Sequence, residues 1–177
     1  AHDRAASEQP TAPGEAVTLW PSFAEVRAAC ELTRAEYDAL LHRARARWSK
    51  NPAITKVRHD IASLLERSGG VLPGTEIAEA LLAQRGTTAT GPARLVEARA
   101  VVRAALETEA VRANDRFAWR RLGGGAAMVV ALRTDELEAE ELADYASNLG
   151  VAADQLANAE PLPTPDAVAA RLTAVPL

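Results

Sequence analysis

FAWRRLGGGAAMVVAL, residues 117–132, is the stretch whose reading decides the fold. Two apolar, β-prone runs, 117–122 and 126–132, flank Gly123-Gly124-Gly125. Strand-like runs around a glycine turn predict a hairpin. Phe117 and Trp119 fall on one strand face by the period of two and are expected to cover the core. Outside this hairpin and one short apolar pair, Val71-Leu72, the chain carries helical periodicity. Of 177 residues, 40 are Ala, about half of the 48% that are apolar, and only 4% are aromatic. Alanine favours helix and has little bulk to bury. The expectation is therefore a mainly α chain with one small wing.

Upstream of the hairpin, each helix has its own boundary signals. Ser22 is a good N-cap for a short helix over 22–30, with Phe23, Val26 and Cys30 on one side. Thr33, with Glu36 three residues on, forms a capping box for a second helix. Tyr37, Leu40, Leu41, Ala44 and Trp48 give that helix an apolar stripe. Asn51-Pro52 ends it and opens a third, whose stripe is Ile54, Val57, Ile61, Leu64 and Leu65 and whose stop is Ser68-Gly69-Gly70. After Val71-Leu72, a helix from Pro73 to Gln84 and another from Pro92 to Arg112 lead into the hairpin. Downstream, Thr134 is expected to cap a helix that Gly150 breaks, followed by short helices near 152–159 and 166–173. Residues 1–16 are small, polar and proline-bearing without periodicity, and read as a disordered linker.

Composition narrows the function. No run of 18 apolar residues exists, so no membrane span is expected. No signal peptide is visible, and a single Cys30 fits a reducing, cytoplasmic compartment. One Cys and three dispersed His provide too few ligands for a structural zinc site, and no cofactor motif is present. No GxGxxG, Walker, GxSxG or HExxH pattern occurs, and Arg58-His59-Asp60 inverts the order of a kinase catalytic loop without its Asn. The fragment is expected to be non-catalytic, with Cys30 a small core residue and His59 on the surface.

The net charge of -4 is unevenly spread. Residues 33–60 carry seven basic against three acidic groups, and residues 134–177 one against nine. Arg outnumbers Lys 18 to two, which suits bidentate phosphate contacts and is equally what a GC-rich genome would produce. Three segments match DNA-binding patterns. Over 17–52, two helices around a short turn match a helix-turn-helix, although Glu31 stands at the turn's usual glycine and Arg27 at the usual small residue. Arg34 could reach a base edge, while Arg43, Arg45, Arg47 and Lys50 would hold duplex backbone. Over 53–133, the order helix, strand, helix, helix, hairpin is that of a winged helix. There Arg99 would be the groove contact and Arg120 and Arg121 the wing contacts. The acidic cap, 134–177, contains a third helix-turn-helix spacing, but its carboxylates would repel a duplex, so it reads as a face for a protein partner or another part of the same polypeptide. The alternative for the first segment is a helical hairpin with a solvated charged face, for the second a winged helix that binds protein, and for the whole a protein-interaction scaffold.

The run Trp20–Gly86, above all RARARWSKNPAIT and SGGVLPGTEIAEALL, resembles the helical region after the kinase domain of large bacterial anti-phage serine/threonine protein kinases, those of phage growth limitation and related BREX systems. The first part is also similar to sigma-factor region 4, and the part through Leu132 to winged-helix modules. The resemblance implies an accessory DNA-sensing or scaffold region of a defence kinase. No kinase motif is present to carry over.

Overall fold

The computed structural model describes residues 21–112, 115–122 and 128–177. The linker at 1–16 and the Gly123–Gly125 turn lie outside them. Helix α1 is Phe23–Cys30 and α2 is Arg34–Trp48. Both open on capping boxes: Thr33 with Glu36 as expected from sequence, and Ser22, expected only as an N-cap, with Glu25. Asn51 caps α3, Pro52–Arg67, with Pro52 in its first turn. Strand β1 is Val71–Pro73, followed by α4, Gly74–Arg85, and α5, Ala93–Glu107. A 3-10 turn, Glu109–Val111, leads to β2, Phe117–Arg121, and β3, Met128–Leu132. Helices α6, Ala139–Ala157, and α7, Pro165–Thr173, complete the chain.

The three strands form an antiparallel sheet in the order β1-β3-β2. Phe117 pairs with Leu132 and Trp119 with Val130, while Val71 pairs with Ala131. The pleat sorts these residues by face. Phe117, Met128, Val130 and Leu132 join Ile54, Val57, Ile61 and Leu65 of α3, Ile77 and Leu81 of α4, and Val102 and Leu106 of α5 in the main core, with Trp48 and Trp119 packed on it. The α3 stripe and the shared Phe117–Trp119 face are thus as the sequence predicts. The other sheet face carries Ala118 and Ala131, which meet Ala139 and Ala143 of α6. Small residues on both sides let helix and sheet approach closely. β3, the central strand, is consequently buried along its whole length.

Some expectations are corrected. Gly150 does not break α6, which runs through it to Ala157, so the third helix-turn-helix spacing has no turn. A β-carbon at Gly150 would lie 3.1 Å from Leu122 Cδ2, so glycine there serves close packing. Thr134 is not the cap of α6. It accepts from Leu137 N at 3.0 Å in a preceding turn, and Glu138 with Glu141 forms the capping box. α5 stops at Glu107, short of Arg112, where Thr108 Oγ1 bonds back to Ala105 O at 2.7 Å. Cys30 is exposed instead of lying in the core, because α1 buries no residue fully. Leu40 is likewise exposed, outside the inward stripe of α2.

Candidate nucleic-acid interface

Helix α2 presents two unlike faces. Tyr37, Leu41, Ala44, Arg45 and Trp48 are half-buried, and the remainder of the helix is exposed. Arg43 and Arg47 of α2, and Lys50 in the turn just after it, stand at i, i+4 and i+7, and all three are exposed. Among the described residues none of the three has a carboxylate partner. Arg45 lies about 160° round the helix from the stripe of Arg43 and Arg47. It turns inward and donates from Nε and Nη2 to Glu107 Oε2 at 2.8 and 2.5 Å. Arg103 flanks the same carboxylate at 3.7 Å and reaches Tyr37 Oη of α2 at 3.4 Å.

The other basic candidates separate from this stripe. Arg34 is exposed at the start of α2, where Nε donates to Asp38 at 3.0 Å and the guanidinium lies 5.1 Å from the Phe23 ring centre. Arg99 is half-buried on α5. Arg120 lies on the sheet face that α6 covers. Its Nε and Nη2 donate to Asp144 at 2.5 and 3.2 Å. The hydrogen bonds Arg120 donates to Asp144, with the charges of Asp144 and Glu140, hold it protonated above its already high ordinary range. Arg121, one residue on, faces the helical side and is exposed. Its charge reaches Glu25 of α1, whose carboxyl is held below the usual range mainly by hydrogen bonding with Ser22. Arg120 and the α2 stripe therefore lie on opposite sides of the sheet. The structure brings together Arg43, Arg47 and Lys50, and leaves Arg45 and Arg120 occupied with carboxylates.

Two buried glutamates at the end of α5 escaped the sequence reading. Glu107 and Glu109 have side chains 3% and 1% exposed. Glu109 pairs with Arg58 of α3, itself 5% exposed, and accepts from Arg116 N at 3.2 Å. Burial lowers the Arg58 pKa, and Glu109 offsets part of that loss. Their signal was present but faint: acidic residues at a helix C-terminus oppose the helix dipole and need compensation. Between β2 and the start of α6 lies a cleft of about 440 Å³ lined by Arg112, Arg120 and Arg133 on one hand and Asp115, Glu138 and Glu140 on the other. Mixed charge of this kind gives a polyanion little net attraction. Among the described residues no three His, Cys, Asp or Glu side chains converge as a metal site, and no helix is long and apolar enough to cross a membrane.

Fold and surface define a mainly helical chain with a small antiparallel sheet, a basic stripe on an outer helix and an acidic helix across the sheet. Over 173 aligned residues the chain is 34% identical to the protein of Streptomyces coelicolor named probable kinase PglW, to which it is related. The match covers 90% of this chain and 11% of that protein, so the chain spans about a tenth of the relative's length. No protein-family profile matches the chain, and no solved structure matches it.

Proposed function

We propose that the chain is a non-catalytic accessory region of a cytoplasmic phage-defence protein of the phage-growth-limitation kinase type, and that it grips duplex DNA backbone through α2. The relation to PglW supports the defence setting. Strand order β1-β3-β2, with α4 and α5 between β1 and β2, supports reading 53–133 as a winged helix whose wing is the β2–β3 hairpin. Glu31 closes α1 in the left-handed region at φ 54°, which suits the turn of a helix-turn-helix over 17–52. The observation that carries the DNA reading is the exposed Arg43-Arg47-Lys50 stripe, without carboxylate partners among the described residues. It offers phosphate contacts, which supply affinity and register and no base reading. Arg45 and Arg120 are assigned structural pairings in place of phosphate contacts.

The test is fluorescence anisotropy with a short labelled duplex. Arg43→Glu with Arg47→Glu should weaken binding strongly, while Arg120→Gln, on the far side of the sheet, should leave it nearly unchanged. The reverse order of effects would contradict the assignment.

A second reading has its own support. Glu140 and Glu141 at the start of α6 are exposed, and Glu140 lines the cleft. This acidic face suits a basic protein surface, whether on another protein or elsewhere in the same polypeptide. In that reading Glu140→Lys with Glu141→Lys would weaken docking to the rest of a PglW-type protein and leave duplex binding no weaker.

A further inference from the structure

We infer that Glu107 is the positioning residue of the phosphate-binding stripe: by clamping Arg45 it fixes how α2 presents Arg43, Arg47 and Lys50. The inference rests on the DNA reading above. Glu107 is the last residue of α5, where the helix dipole disfavours a carboxylate, and it is 3% exposed. Arg45 and Arg103 compensate the buried charge there. Arg45 comes from a helix that buries no residue completely, so apolar packing alone holds α2 weakly. Its inward contacts include Arg45 on Glu107, Tyr37 against Arg103, and Trp48 at the edge of the core.

The clamp ties one face of α2 to the end of α5. Nε and Nη2 of Arg45 both donate to one oxygen, Glu107 Oε2, so the inward face of α2 is held beside that buried carboxylate. Arg45 and the basic stripe lie on opposite sides of α2. Holding the one against α5 therefore turns the other to solvent. Three contacts presented by a fixed helix bind more tightly than the same three on a mobile one, because less freedom is lost on binding.

Electrostatics and positioning predict opposite signs for the same substitution. Glu107→Gln removes a negative charge near the stripe, which by itself strengthens attraction to a polyanion. Loss of the clamp weakens it. Arg45→Lys keeps the charge and loses the two-point fork. Both variants of the full chain should bind a labelled duplex of about 20 base pairs about tenfold more weakly than the parent. Amide hydrogen exchange in α2 should speed up while α3 and β3 remain protected. Arg45→Lys leaves the Glu107–Arg103 contact in place, and so keeps the test decisive if Glu107→Gln unfolds the core. Variants that bind as tightly as the parent, or more tightly, overturn the positioning role. A parent that shows no salt-dependent binding overturns the DNA reading itself, a distinguishable failure.

Discussion

Glu109→Gln should be among the most damaging single changes in this chain, although it alters one side chain by a single atom. The glutamate is 1% exposed and its partner Arg58 is 5% exposed, so neither charge is screened by water. Removing the carboxylate leaves a guanidinium in the core with its charge uncompensated. Breaking such a pair costs about 3–5 kcal/mol. Glutamine keeps an acceptor for Arg116 N, which places the expected cost near the lower end, about 3 kcal/mol. With a urea slope of about 2 kcal/mol per molar, the midpoint should fall by about 1.5 M. The assay is urea unfolding at neutral pH followed by far-ultraviolet circular dichroism. Arg58→Met in the same chain should recover most of the loss, since it removes the guanidinium whose charge Glu109→Gln leaves uncompensated in the core. A midpoint shift below about 0.3 M would refute the reasoning. So would a double variant whose loss equals the sum of the two single ones.

Other perturbations test separate links. Glu31 sits at φ 54°, and Glu31→Gly should stabilise the chain by about 1 kcal/mol, read as a higher thermal midpoint; no gain would mean the left-handed turn is unstrained. Gly150→Leu should destabilise by about 1–3 kcal/mol by driving a side chain into Leu122, whereas a helix-breaking glycine would give a gain. Hydrogen bonds from Ser22 and Thr33 hold Glu25 and Glu36 below the ordinary glutamate range. Their folded pKa values are depressed, so the stabilisation is present above the unfolded value and is lost as pH falls through the lowered ones. Acid should therefore fray the starts of α1 and α2 before the core melts, visible as faster amide exchange at 22–36. Ser22→Ala with Thr33→Ala should reduce that acid dependence, the backbone N–H donors of both positions remaining.

What could be read from the sequence was local. Ser22, Thr33 and Asn51-Pro52 announced three helix starts because a cap needs only its own next turn. The glycine-flanked hairpin and Val71-Leu72 were visible because β-prone apolar runs interrupt a helical chain. Gly150 misled because its intrinsic preference is outweighed by packing against Leu122, a residue 28 positions earlier. Arg45 misled through context as well: it stands in a basic run, and its partner Glu107 is 62 residues away. The helical period alone would have set it apart from Arg43 and Arg47, beside Leu41 and Trp48. Arg120 alternates with Trp119 and so had to face away from the main core. Nothing in its neighbourhood announced Asp144 there.

The most direct measurement is the dependence of duplex affinity on salt. Three phosphate contacts by Arg43, Arg47 and Lys50 predict a log–log slope of about -2.7, falling toward about -0.9 in the Arg43→Glu, Arg47→Glu chain. A slope near zero in the parent, or one that the double reversal leaves unchanged, would contradict DNA binding through α2.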